Sequence, residues 1–181
     1  MKTAIWRVVM LIVAGLACTT LPMNAGEHKA HQEAVSGTIS GEKIQKVGFR
    51  AMIQKQAIMY NLAGAVRNNP DGTVSLSLQG DRERIDKVLD VIRAGNKKSS
   101  TNNTVNLTEA ALDPSLNTFT VYAWTSTSRN IANPYDLVFH LRSPDDEISA
   151  KKAEEIWNTI AEGTLKGDDL TKFRNHLGGE D

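Results

Sequence analysis

Between Val74 and Gly95 the apolar period switches once, and that switch constrains the fold more than any other feature of the chain. Val74, Leu76 and Leu78 alternate with Ser75, Ser77 and Gln79, which predicts a strand with one apolar face. Asp81 then stands where a side chain caps a helix; Ile85, Val88, Leu89 and Ile92 fall on one helical stripe over 82–94, and Gly95 ends it. A strand that feeds directly into an amphipathic helix requires a sheet for that helix to cover.

The same alternation of periods extends both ways. Upstream, Val35, Gly37 and Ile39 alternate with small polar residues and predict a strand over 33–40, while Met52, Ile53, Ala57 and Tyr60 predict a helix over 49–62. Residues 64–67 read as a short strand entering the turn cluster "NNPDGT", where Pro70 presets one dihedral and Gly72 tolerates a positive one, so this strand and the 74–78 strand form a hairpin. Downstream, a polar connection over 96–118 carries a weak strand signal near Val105, and strands follow at 119–124 and 137–141. The order is β-α-β-β-α-β with an extra strand. It predicts an α+β chain, the ferredoxin-like α/β plait, with an antiparallel sheet and two helices on one face. Past Ser143, the spacing of Ile148, Ala153, Ile156, Trp157 and Ile160 predicts an appended helix, with a weaker one over 170–177. The appended helix is expected to cover the free sheet face or an edge.

Lys2 and Arg7 precede an apolar run from Val8 to Leu16 and small residues ending near Ala25, the layout of a signal peptide over 1–25 whose core is short for a bilayer span. Export to the periplasm or the exterior is expected; lipid attachment at Cys18 and an uncleaved anchor are the alternatives. The divisions that follow are a polar leader over 26–31, a domain over 32–142 and a helical extension over 143–181. Cys18 is the only cysteine, so loss of the signal peptide excludes disulfides, thiolate catalysis and cysteine metal sites. It also leaves 19 basic against 21 acidic side chains, a balance that offers no broad nucleic-acid surface. His28 and His31 in the leader lack a third ligand nearby, and no metal site is read. The segment from Trp124 to Asp136 reads as a long inter-strand loop.

Candidate chemistry sits in "QKVGFR". Arg50 stands between a glycine turn and the first turn of the 49–62 helix, whose unpaired amides already attract anions. Gln45-Lys46-Val47-Gly48-Phe49-Arg50, followed by Gly64-Ala65-Val66-Arg67-Asn68-Asn69-Pro70-Asp71-Gly72-Thr73-Val74 at the hairpin, resembles the acylphosphatases in motif, order and spacing. The similarity covers roughly 32–142 and is strongest before Gly95.

The resemblance implies hydrolysis of acyl phosphates to carboxylate and inorganic phosphate without metal or other cofactor. It implies that Arg50 and the loop Gln45, Lys46, Val47, Gly48 and Phe49 bind the phosphoryl group, and that Asn68 orients the attacking water. The chemistry suits those residues: the phosphoryl transition state is loose and a carboxylate leaves readily, so catalysis is positioning and charge stabilisation. A guanidinium fork grips phosphate, and an amide both donates to and accepts from water. Three departures stand out. Lys46 replaces a glycine, Ala65 replaces a tryptophan, and either Gly37-Thr38-Ile39 matches the family's Gly-x-Val, making Ser40 to Ile44 additional, or that glycine anchor is absent. The expected partner is a small acyl phosphate or inorganic phosphate, with no nucleic acid, no stable membrane insertion after signal removal, and no protein partner identified. The alternative is a non-catalytic module of the same fold that binds an anion or a protein.

Overall fold

The structure, a computed structural model, describes residues 31–126 and 129–178; the expected signal peptide with Cys18, and His28 of the leader, lie outside the described residues. Its elements are β1 (Gln32–Ser40), α1 (Phe49–Tyr60), β2 (Ala63–Asn68), β3 (Val74–Asp81), α2 (Arg82–Ala94), β4 (Thr104–Glu109), β5 (Thr118–Trp124), β6 (Tyr135–His140), α3 (Ala150–Thr164) and α4 (Gly167–Gly178). The strands form one sheet in the order β4-β1-β3-β2-β5-β6, antiparallel except for the parallel β2–β5 pair.

The first four strands and two helices make the plait. Register places Ile39 opposite Val74 and Val66 opposite Leu76, so the alternating apolar residues of β1, β2 and β3 share one face. Phe49, Ile53, Ala57 and Ile58 of α1 and Ile85, Val88 and Ile92 of α2 close over that face in a single core cluster. The opposite face carries Ser36, Ser75, Ser77, Ala65 and Thr120, each only partly buried.

Two arrangements differ from the sequence expectation. The weak signal near Val105 becomes the plait's fourth strand, β4. It pairs only with β1, and its Val105 and Leu107 are only partly buried, as befits an edge with a muted pattern. The two strongly apolar segments form β5 and β6, a pair added at the far edge beside β2. The appended helix leaves the serine-rich face open. Instead α3 lies beside α1 and over β6, in the same helical layer. Adding two strands widened the sheet, and the apolar face of those strands needed its own helix.

Gln54 shows how that helix is fixed. This α1 side chain is fully buried; its Nε2 donates to the carbonyls of Phe119 (3.3 Å) and Leu137 (2.7 Å), and its Oε1 accepts from Trp157 Nε1 (3.1 Å). One amide therefore ties α1, β5, β6 and α3 together with its polar atoms satisfied. Trp157 is 1% exposed and meets Trp124 edge to face at 5.6 Å.

Candidate active site

The α1 start is the uncapped helix start among the three whose caps are resolved. Asp81 accepts from the Arg84 amide at the head of α2, and Ser149 from the Lys152 amide at the head of α3. The cap residue of α1 is Gly48, which has no side chain to offer, and its first turn holds no acidic residue. Its leading amides remain free for an anion. The loop before them is bent by two left-handed residues, Lys46 at φ 59° and Gly48 at φ 74°. Lys46 thus keeps the curvature that a glycine makes without strain, at a cost of about 1 kcal/mol. The loop is braced from both sides. Val47 and Phe49 are buried in the core, and Asn96 Nδ2 donates to the Val47 carbonyl (3.2 Å). The additional residues are not a loose insertion: Ile44 is buried, and the Ser100 amide donates to the Lys43 carbonyl (2.9 Å).

Arg50 is oriented by backbone. Its Nη1 donates to the carbonyls of Tyr122 (2.5 Å) and Ala123 (3.1 Å) at the end of β5. Successive carbonyls of a regular strand point to opposite sides. Here the β5–β6 register breaks between Val121 and Trp124, and Ala123 takes a φ of 47°, which lets two consecutive carbonyls serve one guanidinium. Burial lowers the pKa of Arg50 below the usual arginine value. It starts so high that the group remains a cation at neutral pH.

Asn68 ends β2 on the same sheet face as Val66, and its Oδ1 is buried without a hydrogen-bond partner. Arg50, Asn68 and the loop residues Lys46, Val47, Gly48 and Phe49 line one cavity of about 920 Å³. Gln45 does not join them. Its Nε2 donates to the carbonyls of Asn69 and Thr73 (both 2.8 Å), so it pins the loop to the β2–β3 turn and borders a separate cleft. Its side chain acts as a brace, because both donors of its amide are spent on the turn.

The cavity continues past the motif residues. Its far wall is Trp124 and Arg129, in the segment read from the sequence as an inter-strand loop, with Lys55 from α1 and Trp157 from α3. Among the described residues, no carboxylate lines it. That segment is held by Asp169 of α4, a carboxylate 3% exposed that accepts from the Ala132 amide (3.1 Å), the Asn133 amide (3.3 Å) and side chain (2.8 Å), and the Tyr135 hydroxyl (3.2 Å). The Ala132 amide bond is the chief cause that lowers its pKa, and the Asn133 and Tyr135 bonds add to it. The signal that could have revealed this wall was a tryptophan and an arginine inside an otherwise polar loop, next to a helix bearing another tryptophan.

A plait with an uncapped helix start, a backbone-oriented arginine and an asparagine in one basic cavity is an anion-binding fold. A family model described as Acylphosphatase matches residues 35–121. The acylphosphatase of Methanocella arvoryzae is 46% identical over 63 residues, 35% of this chain and 70% of that relative. That of Chlorobaculum tepidum is 37% identical over 87 residues, 48% of this chain and 88% of the relative. The chain belongs to the acylphosphatase family. A solved acylphosphatase from Coxiella burnetii aligns over 50% of this chain and 92% of its own, with 31% identity and a TM-score of 0.44.

Proposed function

We propose that this chain is an exported hydrolase of acyl phosphates that works without a metal ion. The observation that carries the reading is that the residues of the uncapped α1 start, Arg50 and Asn68 line one cavity. The amides of the 47–49 turn and Arg50 hold the phosphoryl oxygens of R–CO–O–PO₃. Asn68 holds a water in line behind phosphorus. The water oxygen bonds to phosphorus as the bond to the carboxylate oxygen breaks, and the water's proton passes to a phosphoryl oxygen. Products are a carboxylate and inorganic phosphate. Charge on the transferring group is met by fixed donors, which is the main requirement of a loose phosphoryl transition state. Export rests on the amino-terminal pattern of Lys2, Arg7 and the apolar run that follows.

The test is turnover of acetyl phosphate and benzoyl phosphate by the purified protein with and without EDTA. Rates unchanged by EDTA are expected; loss on chelation with recovery on adding a divalent cation refutes the metal-free reading. Asn68→Ala is expected to lower kcat by on the order of a hundredfold while inorganic phosphate inhibits as before, because the amide acts on water and not on ground-state charge. Phosphate binding with no turnover in the unmutated protein establishes the non-catalytic alternative. Recovery of the chain, with its leader intact, from the cytoplasm alone refutes export.

A further inference from the structure

The cavity is too large for its motif. At about 920 Å³ it exceeds by several times what a phosphoryl group and a two-carbon acyl group fill, which is at most about eight water-sized volumes of ~30 Å³. Its lining includes Trp124, Arg129 and Trp157, which the family match, ending at residue 121, does not include.

Arg129 is the informative member. Its guanidinium carbon lies 5.2 Å from the Trp157 ring centroid and 4.6 Å from that of Phe173, so two aromatic faces hold the group. Its Nε is buried with no hydrogen-bond partner, and among the described residues no carboxylate comes within ion-pair distance of it. Burial disfavours its charge, and Glu154 attracts it only from farther away. Glu154 is already engaged, 2.5 Å from Lys55 Nζ, and that ammonium sits 4.5 Å from the Trp157 centroid on the same wall. Cation–π contact returns about 1–2 kcal/mol, less than desolvating an unpaired guanidinium costs. On this wall Lys55 is paired with Glu154, and the Arg129 guanidinium is a cation without a carboxylate partner among the described residues.

We propose that this end of the cavity is an acyl-group subsite, and that Arg129 selects acyl phosphates whose acyl part carries its own carboxylate. The proposal rests on the acyl-phosphate reading above and adds the identity of the acyl group. A guanidinium without a carboxylate partner calls for an anion, and its fork pairs with a carboxylate. The acyl chain spans the cavity, with the phosphoryl group at Arg50 and the carboxylate at Arg129. Arg129 plays no part in bond breaking; it fixes which substrates stay bound.

Two substrate pairs separate charge from size: 4-carboxybenzoyl against 4-carbamoylbenzoyl phosphate, and the flexible adipyl against hexanoyl phosphate. At least one carboxylate member is expected to exceed its neutral partner tenfold or more in kcat/KM, expressed in KM. Arg129→Met, which keeps the contact with the rings, is expected to erase that preference while acetyl phosphate turnover stays within about twofold. No preference in either pair, or a preference that survives Arg129→Met, overturns the subsite. Binding of the matching phosphonates, 4-carboxyphenacyl- against 4-carbamoylphenacylphosphonate, followed by tryptophan fluorescence, reads the subsite without turnover. Selective phosphonate binding with no hydrolysis of any anhydride refutes the proposed reaction and leaves the subsite standing; hydrolysis of all substrates alike, with equal phosphonate binding, refutes the subsite and leaves the reaction. Arg129→Gln, assayed in the same way, serves should the methionine variant fail to fold.

Discussion

The two ends of the cavity are built on different principles. At the Arg50 end the working groups are backbone: turn amides bent by Lys46 and Gly48, and the carbonyls of Tyr122 and Ala123 that aim the guanidinium. At the Arg129 end they are side chains, with a guanidinium against two rings and a tryptophan held by the buried Gln54. A backbone site is set by a few consecutive residues and tolerates replacement of most side chains around it. A side-chain site depends on elements far apart in sequence. The difference teaches that the turn from Lys46 to Arg50 belongs to the local chain, whereas the aim of Arg50 and the whole of the other end depend on elements far away in sequence.

The harshest way to break this comparison is to remove the packing. Trp157→Ala deletes a fully buried indole from the junction of α1, β5, β6 and α3 and leaves Gln54 Oε1 without its donor. It is expected to cost about 3–5 kcal/mol in chemical unfolding. If the two ends are as separate as their construction implies, protein that remains folded retains phosphate inhibition. Loss of phosphate binding together with the wall would show that the ends are one unit.

Next in size is Arg50→Ala. The guanidinium is the cation oriented by carbonyls at the phosphoryl end, so kcat/KM for acetyl phosphate is expected to fall at least on the order of a hundredfold, with inhibition by inorganic phosphate lost as well. Unchanged inhibition would mean that the α1 amides alone hold the anion.

A smaller effect tests the claim that backbone curvature, not the side chain at position 46, makes the loop. Lys46→Gly relieves a left-handed non-glycine residue and is expected to raise stability by about 1 kcal/mol, with turnover retained to within a few-fold. A large loss of turnover would transfer Lys46 to the group of substrate-binding side chains.

The smallest effect is read through pH. Hydrogen bonds hold the native pKa of Asp169 below its ordinary 3.8, so its contribution is present above that value and disappears as pH falls through the native one. Asp169→Asn is therefore expected to lower the Tm at pH 7, with the gap to the unmutated protein narrowing below pH 3.8. A gap that does not change with pH would assign the effect to packing of α4 and not to the carboxylate.

Much of this was legible because it is local. The period of Val74, Leu76 and Leu78 and the stripe of Ile85, Val88, Leu89 and Ile92 each report one element's own buried face, and Asp81 and Gly95 report its ends. The stretch from Lys46 to Arg50 was legible for the same reason: a turn and the helix start after it are contiguous, and their free amides follow from the chain path alone. The bracing role of the Gln45 side chain was not legible because its partners, the carbonyls of Asn69 and Thr73, are more than twenty residues away. β4 was faint because an edge strand buries little.

The sequence by itself determined the order of elements, the plait and the turn from Lys46 to Arg50, since each follows from periodicity and turn chemistry within a short span. Tertiary structure alone decided that β5 and β6 extend the sheet beside β2, that α3 joins the helical layer and leaves the serine-rich face open, and that Trp124, Arg129 and Trp157 share a wall with Arg50. Apolar burial states that a face must be covered but is indifferent to which element covers it. That choice falls to shape and to directional bonds such as those of Gln54, whose partners in β5, β6 and α3 become neighbours only when the sheet and helices have assembled.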